Sequence, residues 1–85
     1  MPILTLIGKP GCHLCDDARN AIHAVIDALP DEATAVTVEE RNILEDAALH
    51  QQYVDEIPVV LVDGRVHTYW RVDPVRLRAA LLEER

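Results

Sequence analysis

Residues 2–29 read PILTLIGKPGCHLCDDARNAIHAVIDAL, and their pattern sets a strand, a tight loop and a long helix in that order. The run PILTLIG is short, mostly apolar and closed by glycine. With no polar alternation, it has the pattern of a central strand covered on both faces. From Cys12 onward, Leu14, Ala18, Ala21, Ile22, Val25, Ile26 and Leu29 recur at three and four, forming one apolar helical stripe that ends before Pro30. That helix starts at the only two cysteines of the chain, Cys12 and Cys15.

Further along the chain, PDEAT (30–34) reads as a turn, and AVTVEE (35–40) alternates Val36 and Val38 with polar neighbours as a strand does. Residues 42–53, NILEDAALHQQY, bring Ile43, Leu44, Ala47, Ala48 and Tyr53 to roughly helical spacing, with Asn42 placed to cap. IPVVLVDGRVHTYW (57–70) then holds two β-rich runs around Asp63-Gly64. That dipeptide favours a two-residue hairpin turn, in which both central residues take positive φ. Asp73-Pro74 supplies a cap followed by proline at the first helical position, and Val75, Leu77, Ala79, Leu81 and Leu82 give the last helix a broad apolar face. The order β-α-β-α-β-β-α opens with a right-handed parallel unit and ends in an antiparallel hairpin. It predicts an α/β fold, a mixed four-stranded sheet flanked by three helices.

The 85 residues suffice for one core, and residues 1–85 read as a single domain. Eight Lys and Arg against fifteen Asp and Glu leave a net charge of -7, which repels phosphate backbones and anionic lipid surfaces. Nucleic acid and membrane are therefore not expected partners. The apolar run Ile3 to Ile7 is broken by Gly8, Lys9 and Pro10, too soon for a signal-peptide core or a membrane span, and a cytoplasmic location is expected. In that compartment thiols are kept reduced, so a close cysteine pair is more often catalytic or metal-binding than a staple. A disulfide closing a two-residue loop would also stabilise the fold only weakly.

The chemistry follows from the placement of the pair. At the first turn of a helix, unpaired backbone N–H groups and the positive end of the helix dipole stabilise an anion, which suits Cys12 to be a nucleophilic thiolate. Cys15 lies on the same side one turn further in, within disulfide reach and more covered, which suits a resolving thiol. Lys9, and Arg19 if it folds back, favour the thiolate, whereas Asp16 and Asp17 oppose it. Those two acids also match the dipole as ordinary first-turn residues. His13 between the cysteines is either a tuning group or a polar spacer. His23, His50 and His67 are expected to serve surface or packing roles. With Tyr53, Tyr69 and Trp70 are the only aromatic residues, and core packing is expected for both. The rival reading is a metal-binding module, zinc or iron–sulfur, built on the same cysteines. A structural zinc site normally adds a second close ligand pair, whereas the histidines here are single and dispersed.

In EIPVV (56–60), Pro58 stands immediately before a strand, and the plain reading is a strand-entry proline. Taken with the Cys-x-x-Cys at a strand-to-helix junction and the Val-rich hairpin turning on Asp-Gly, the chain resembles the short glutaredoxin-like proteins of the thioredoxin fold. The likeness covers nearly its whole length. It implies a thiol–disulfide oxidoreductase in which Cys12 attacks and Cys15 resolves, acting on protein or low-molecular-weight disulfides. It also implies a cis Ile57-Pro58 peptide beside the pair, with the Ile57 backbone offered to an extended substrate. Lys9, Pro10, Gly11, His13 and Leu14 would complete the groove and tune it, with no metal and no bound cofactor in a monomeric protein. His13-Leu14 stands where glutaredoxins usually have Pro-Tyr, and Glu56-Ile57-Pro58 where they have Thr-Val-Pro. Tyr69 and Trp70 lie near their Gly-Gly turn, which helps grip glutathione, and only Asp73 keeps a match to that contact. Glutathione and a flavin-dependent thioredoxin reductase are both open as electron donors.

Overall fold

The apolar run after Met1-Pro2 does become the centre of the sheet. In the computed structural model, which describes residues 3–30 and 36–83, β1 (Ile3–Gly8) pairs on both sides within a four-stranded sheet of order β2-β1-β3-β4. β2 (Thr37–Asn42) runs parallel to it, with Ile3 opposite Thr37 and Gly8 opposite Asn42. β3 (Val59–Val62) runs antiparallel, with Leu4 opposite Val62 and Ile7 opposite Val59, and β4 (Arg65–Tyr69) extends the sheet beyond β3.

Period-two alternation along β1 sends its side chains into two cores. Leu4 and Leu6 meet Ala18, Ile22 and Val25 of α1 (His13–Asp27) and Leu77 and Leu81 of α3 (Pro74–Glu83), together with Val60 and Val62. Ile7 points the other way, where it packs with Val59, Ile43 and Tyr53, the last residue of α2 (Ala47–Tyr53). Two helices therefore cover one face of the sheet and the short helix covers the other, and the mixed sheet flanked by three helices is the one the element order predicts. No helix among the described residues is long and apolar enough to cross a membrane.

Where local propensity and sheet pairing compete, pairing wins. β2 begins and ends two residues later than the alternation of 35–40 indicates, because its parallel register carries it to Asn42 beside Gly8. Val36 and Val38 nonetheless pack against the α1/α3 core as expected. Of the turn expected at 30–34, residues 31–34 lie outside the described residues, as does position 35. Asn42 ends the strand instead of capping a helix, and its Oδ1 accepts the Leu44 N–H at 2.8 Å. α2 starts five residues later, capped by Asp46, whose Oδ1 accepts the N–H groups of Ala48 (3.0 Å) and Leu49 (3.2 Å).

The hairpin turn forms as its chemistry requires: Asp63 and Gly64 have φ values of 51° and 81°, the second at a residue with no Cβ to clash. Asp73 caps α3 by accepting the N–H groups of Val75 (3.0 Å) and Arg76 (3.3 Å). The buried face of that helix is narrower than expected. Leu77 and Leu81, four apart, carry it, while Val75 is 79% exposed and Ala79 faces solvent.

Candidate active site

β1 ends at Gly8, and the absence of a side chain there lets α1 approach. A Cβ on Gly8 would sit 2.8 Å from the Cys15 Sγ and 3.2 Å from its Cβ. Lys9, Pro10 and Gly11 turn the exposed chain outward, and Cys12 becomes the N-cap of α1. Its Sγ accepts the Cys15 N–H at 3.3 Å and its carbonyl accepts the Asp16 N–H at 3.0 Å. Cys12 is half-buried, Cys15 is 1% exposed, and both are free thiols. The pair thus has an accessible outer sulfur at a helix N-terminus and a covered inner one behind it.

Burial, reinforced by the hydrogen bond and charge of Cys12 and by Asp16, pushes the Cys15 thiol up to about 11, against an opposing hydrogen bond from the Lys9 backbone. Cys15 is therefore protonated at neutral pH. Two of the raising causes depend on a free Cys12 sulfur, so they lapse once that sulfur enters a disulfide and Cys15 is needed. A thiol raised in the folded state favours folding below its unfolded value near 9.0, and that contribution is lost as the pH climbs from there toward about 11. Reduced protein is expected to lose stability across that window, measured by denaturant unfolding, with a smaller loss for Cys15→Ala.

Arg19 does not fold back toward the sulfurs. Its Nη1 donates to Asp16 Oδ1 at 2.8 Å and its Nε to Glu40 Oε1 at 2.6 Å, which hold the guanidinium charged. This ion triad borders a cavity of about 410 Å³ on the β2 side, lined also by Lys9, Pro10 and Cys15. Asp16 is thereby partnered, whereas Asp17 lies on the other flank of α1, in a second cavity of about 340 Å³ with Leu14, Trp70 and Arg71.

Leu14 departs from the expected stripe: the core partners of α1 begin at Ala18, and Leu14, one turn earlier, is 43% exposed. His13 is exposed at the first helical position. The Ile57-Pro58 peptide is cis, Pro58 is fully buried, and Ile57 packs on the α2-side core.

Tyr69 and Trp70 do not enter the core. They are 41% and 56% exposed, with ring centroids 6.4 Å apart. Trp70 lies just past β4 with φ of 63°, at the centre of a three-residue turn closed by Arg71 N–H to the Tyr69 carbonyl at 2.7 Å. That hand of turn is strained, at about 1–3 kcal/mol for a residue with a side chain. The turn is held by the Trp70 N–H to the Pro58 carbonyl (2.8 Å), the indole N–H to the Asp55 carbonyl (3.3 Å) and the Thr68 hydroxyl to the Arg71 carbonyl (2.9 Å).

The remaining titratable groups take lesser roles. Asp73 is engaged as the α3 cap. His67 is half-buried, its Nε2 without a hydrogen-bond partner, and burial followed by nearby Arg76 holds its pKa below the ordinary value. His23 and His50 are exposed. Among the described residues, no three His, Cys, Asp or Glu side chains converge as metal donors.

Three residues of the site carried no sequence marker. Glu40 reaches Arg19 only because β2 lies beside α1, Trp70 takes part through a backbone conformation that tryptophan rarely adopts, and Gly8 read simply as the end of a strand. Gly8→Ala is expected to destabilise the protein by about 1–3 kcal/mol through overpacking against Cys15. It should also slow closure of the Cys12–Cys15 disulfide, as followed by mass spectrometry after quenching.

The Glutaredoxin-like domain (DUF836) family matches residues 3–82. An uncharacterized protein of Mycobacterium tuberculosis is 32% identical over 78 residues, which are 92% of this chain and 80% of that protein. The X-ray structure of a structural-genomics target protein, XcR50 from X. campestris, is 37% identical, with a TM-score of 0.69 over 92% of this chain and 93% of that one. A mutant thioredoxin from Halobacterium salinarum shares the fold alone, at 19% identity and a TM-score of 0.64 over 98% of this chain and 73% of that one. With its mixed sheet, its cysteines at the head of α1 and its match over nearly the full length, this chain belongs to the Glutaredoxin-like domain family, and fold and cysteine pair together support a redox-type function.

Proposed function

We propose that the protein is a dithiol–disulfide oxidoreductase in which Cys12 is the nucleophile and Cys15 the resolving thiol. The observation that carries this reading is the arrangement of the two sulfurs: Cys12 Sγ caps α1 and accepts the Cys15 N–H at 3.3 Å, with the buried thiol of Cys15 behind it. The Cys15 N–H donates to Cys12 Sγ at the N-terminus of α1, so the outer sulfur sits where a backbone donor and the positive end of the helix dipole face it.

The cycle is one two-electron transfer. The Cys12 thiolate attacks a substrate sulfur, the substrate S–S bond breaks, and the departing sulfur leaves as a thiolate that takes a proton from water. Cys15 then gives its proton to solvent and attacks Cys12 Sγ. The mixed disulfide breaks, the second substrate sulfur leaves as a thiolate and is protonated, and the enzyme holds a Cys12–Cys15 disulfide. A thiol reductant restores the dithiol, either glutathione or a flavin-dependent thioredoxin reductase drawing on NADPH. The substrates are protein or small-molecule disulfides, and the pair needs no bound cofactor.

Disulfide reduction coupled to NADPH consumption, run in parallel with glutathione plus its reductase and with thioredoxin reductase, tests the reading. Turnover with either donor is expected and names it. Cys15→Ser is expected to accumulate a mixed disulfide with substrate, seen by intact mass. Absence of turnover with both donors, with no trapped species, would sink the proposal.

A further inference from the structure

Trp70 is the most unusual residue outside the cysteine pair. A large apolar ring would ordinarily be buried, and a left-handed φ would ordinarily fall to glycine or asparagine. Here a tryptophan at φ 63° is more than half exposed, in a turn fixed by hydrogen bonds to Pro58, Asp55 and Thr68. Because its indole N–H is tied to the Asp55 carbonyl, the ring is held in place. It forms one wall of a cavity of about 340 Å³ that also includes Leu14, the residue immediately before Cys15. Ala18 and Ala21 line the same cavity, and Asp17 and Arg71 bring a charge of each sign to it. Backbone strain of this kind clusters at ligand clamps and functional sites, and here it falls on a wall of the cleft that Leu14 shares.

We propose that the cleft between Leu14 and Trp70 seats a polypeptide disulfide, accepting an apolar side chain next to the substrate cysteine in a basic stretch of chain. The proposal rests on the dithiol reading and names its substrate class. Two observations select this occupant. The facing Leu14 and Trp70 side chains offer apolar surface that a small, strongly polar thiol such as glutathione would leave uncovered. The protein carries a net charge of -7, with Asp17 in this cleft and Asp55 and Glu56 before Ile57, whereas Asp16 is taken up by Arg19 on the other side of the helix. That field opposes net-anionic glutathione and draws a cationic segment.

Trp70 is the only tryptophan of the chain, so its emission reports on this cleft alone. The test uses full-length Cys12→Ser protein, in which binding is read without chemistry. It is titrated with the peptide Lys-Leu-Cys-Phe-Lys carrying an S-methylated cysteine. The comparators are the same peptide with both apolar residues changed to serine, the same peptide with both lysines changed to glutamate, and S-methylglutathione. The apolar, basic peptide is expected to shift Trp70 emission saturably, at least about tenfold more tightly than any comparator. Adding Leu14→Ala should weaken it about tenfold, and since Leu14 is outside the core this variant folds. Binding of S-methylglutathione as tight as the peptide would make the cleft a glutathione seat and overturn the proposal. No shift with any probe, or indifference to Leu14→Ala, would also overturn it. Failure here alongside NADPH-coupled turnover removes the substrate assignment and leaves the dithiol mechanism standing. A shift without turnover would show the reverse.

Discussion

Cys12→Ser is expected to abolish disulfide turnover with both electron donors while leaving the melting temperature at or slightly above that of the reduced wild-type protein. The two halves of that result have separate causes. Serine at this position keeps the cap: its Oγ takes over the N–H of Cys15 that Cys12 Sγ accepts at 3.3 Å, and serine is among the best N-cap residues. The half-buried side chain loses little packing. What disappears is the only sulfur positioned to attack, because Cys15 is 1% exposed and held as a thiol by burial. A serine hydroxyl cannot substitute, since its own ionisation lies far above that of a thiol and it forms no mixed disulfide. Paired activity assays and thermal unfolding check both halves. Residual turnover would place the chemistry elsewhere, and a large loss of stability would mean that the sulfur is structural.

The largest expected effect on stability is at Leu77. It is 0% exposed and, with Leu81, anchors α3 against Leu4, Leu6, Ala18 and Ile22. The rest of that helix offers little else, since Val75 and Ala79 face solvent. Leu77→Ala removes buried methyl groups and leaves a cavity between α1 and α3, which costs about 2–5 kcal/mol. Against a total of about 5–15 kcal/mol for a domain of this kind, that is a large share. Thermal unfolding followed by circular dichroism is expected to show a fall of at least about 10 °C. A fall of only a degree or two would mean that α3 is held mainly by its Asp73 cap. The site itself should survive at low temperature, because neither cysteine belongs to the core cluster that Leu77 fills.

Much of this architecture is legible in the chain because its signals are local. The mostly apolar run of β1 and the three-and-four spacing of α1 report the face each element buries, and Asp63-Gly64 and Asp73-Pro74 report backbone conformations that few other dipeptides favour. The spacing of Cys12 and Cys15, at a strand-to-helix junction, brings the two sulfurs to one helix end without any long-range information. Element boundaries were less legible. Asn42 has the chemistry of a helix cap, and so has Asp46; parallel pairing with β1 draws Asn42 into β2 and leaves Asp46 to begin α2.

The order of elements and the placement of the cysteines follow from the chain alone, since each depends on periodicity or turn chemistry within a few residues, and that order implies the mixed sheet through the rules of chain connection. What surrounds the pair is settled by the assembled fold. The close approach of Cys15 to Gly8, the engagement of Arg19 by Asp16 and Glu40, and the exposed, left-handed Trp70 opposite Leu14 all join segments distant along the chain or depend on contacts between elements. The division comes from the range of the forces: propensity and patterning act over one or two turns, whereas burial, ion pairing and backbone strain are set by whatever the fold brings alongside.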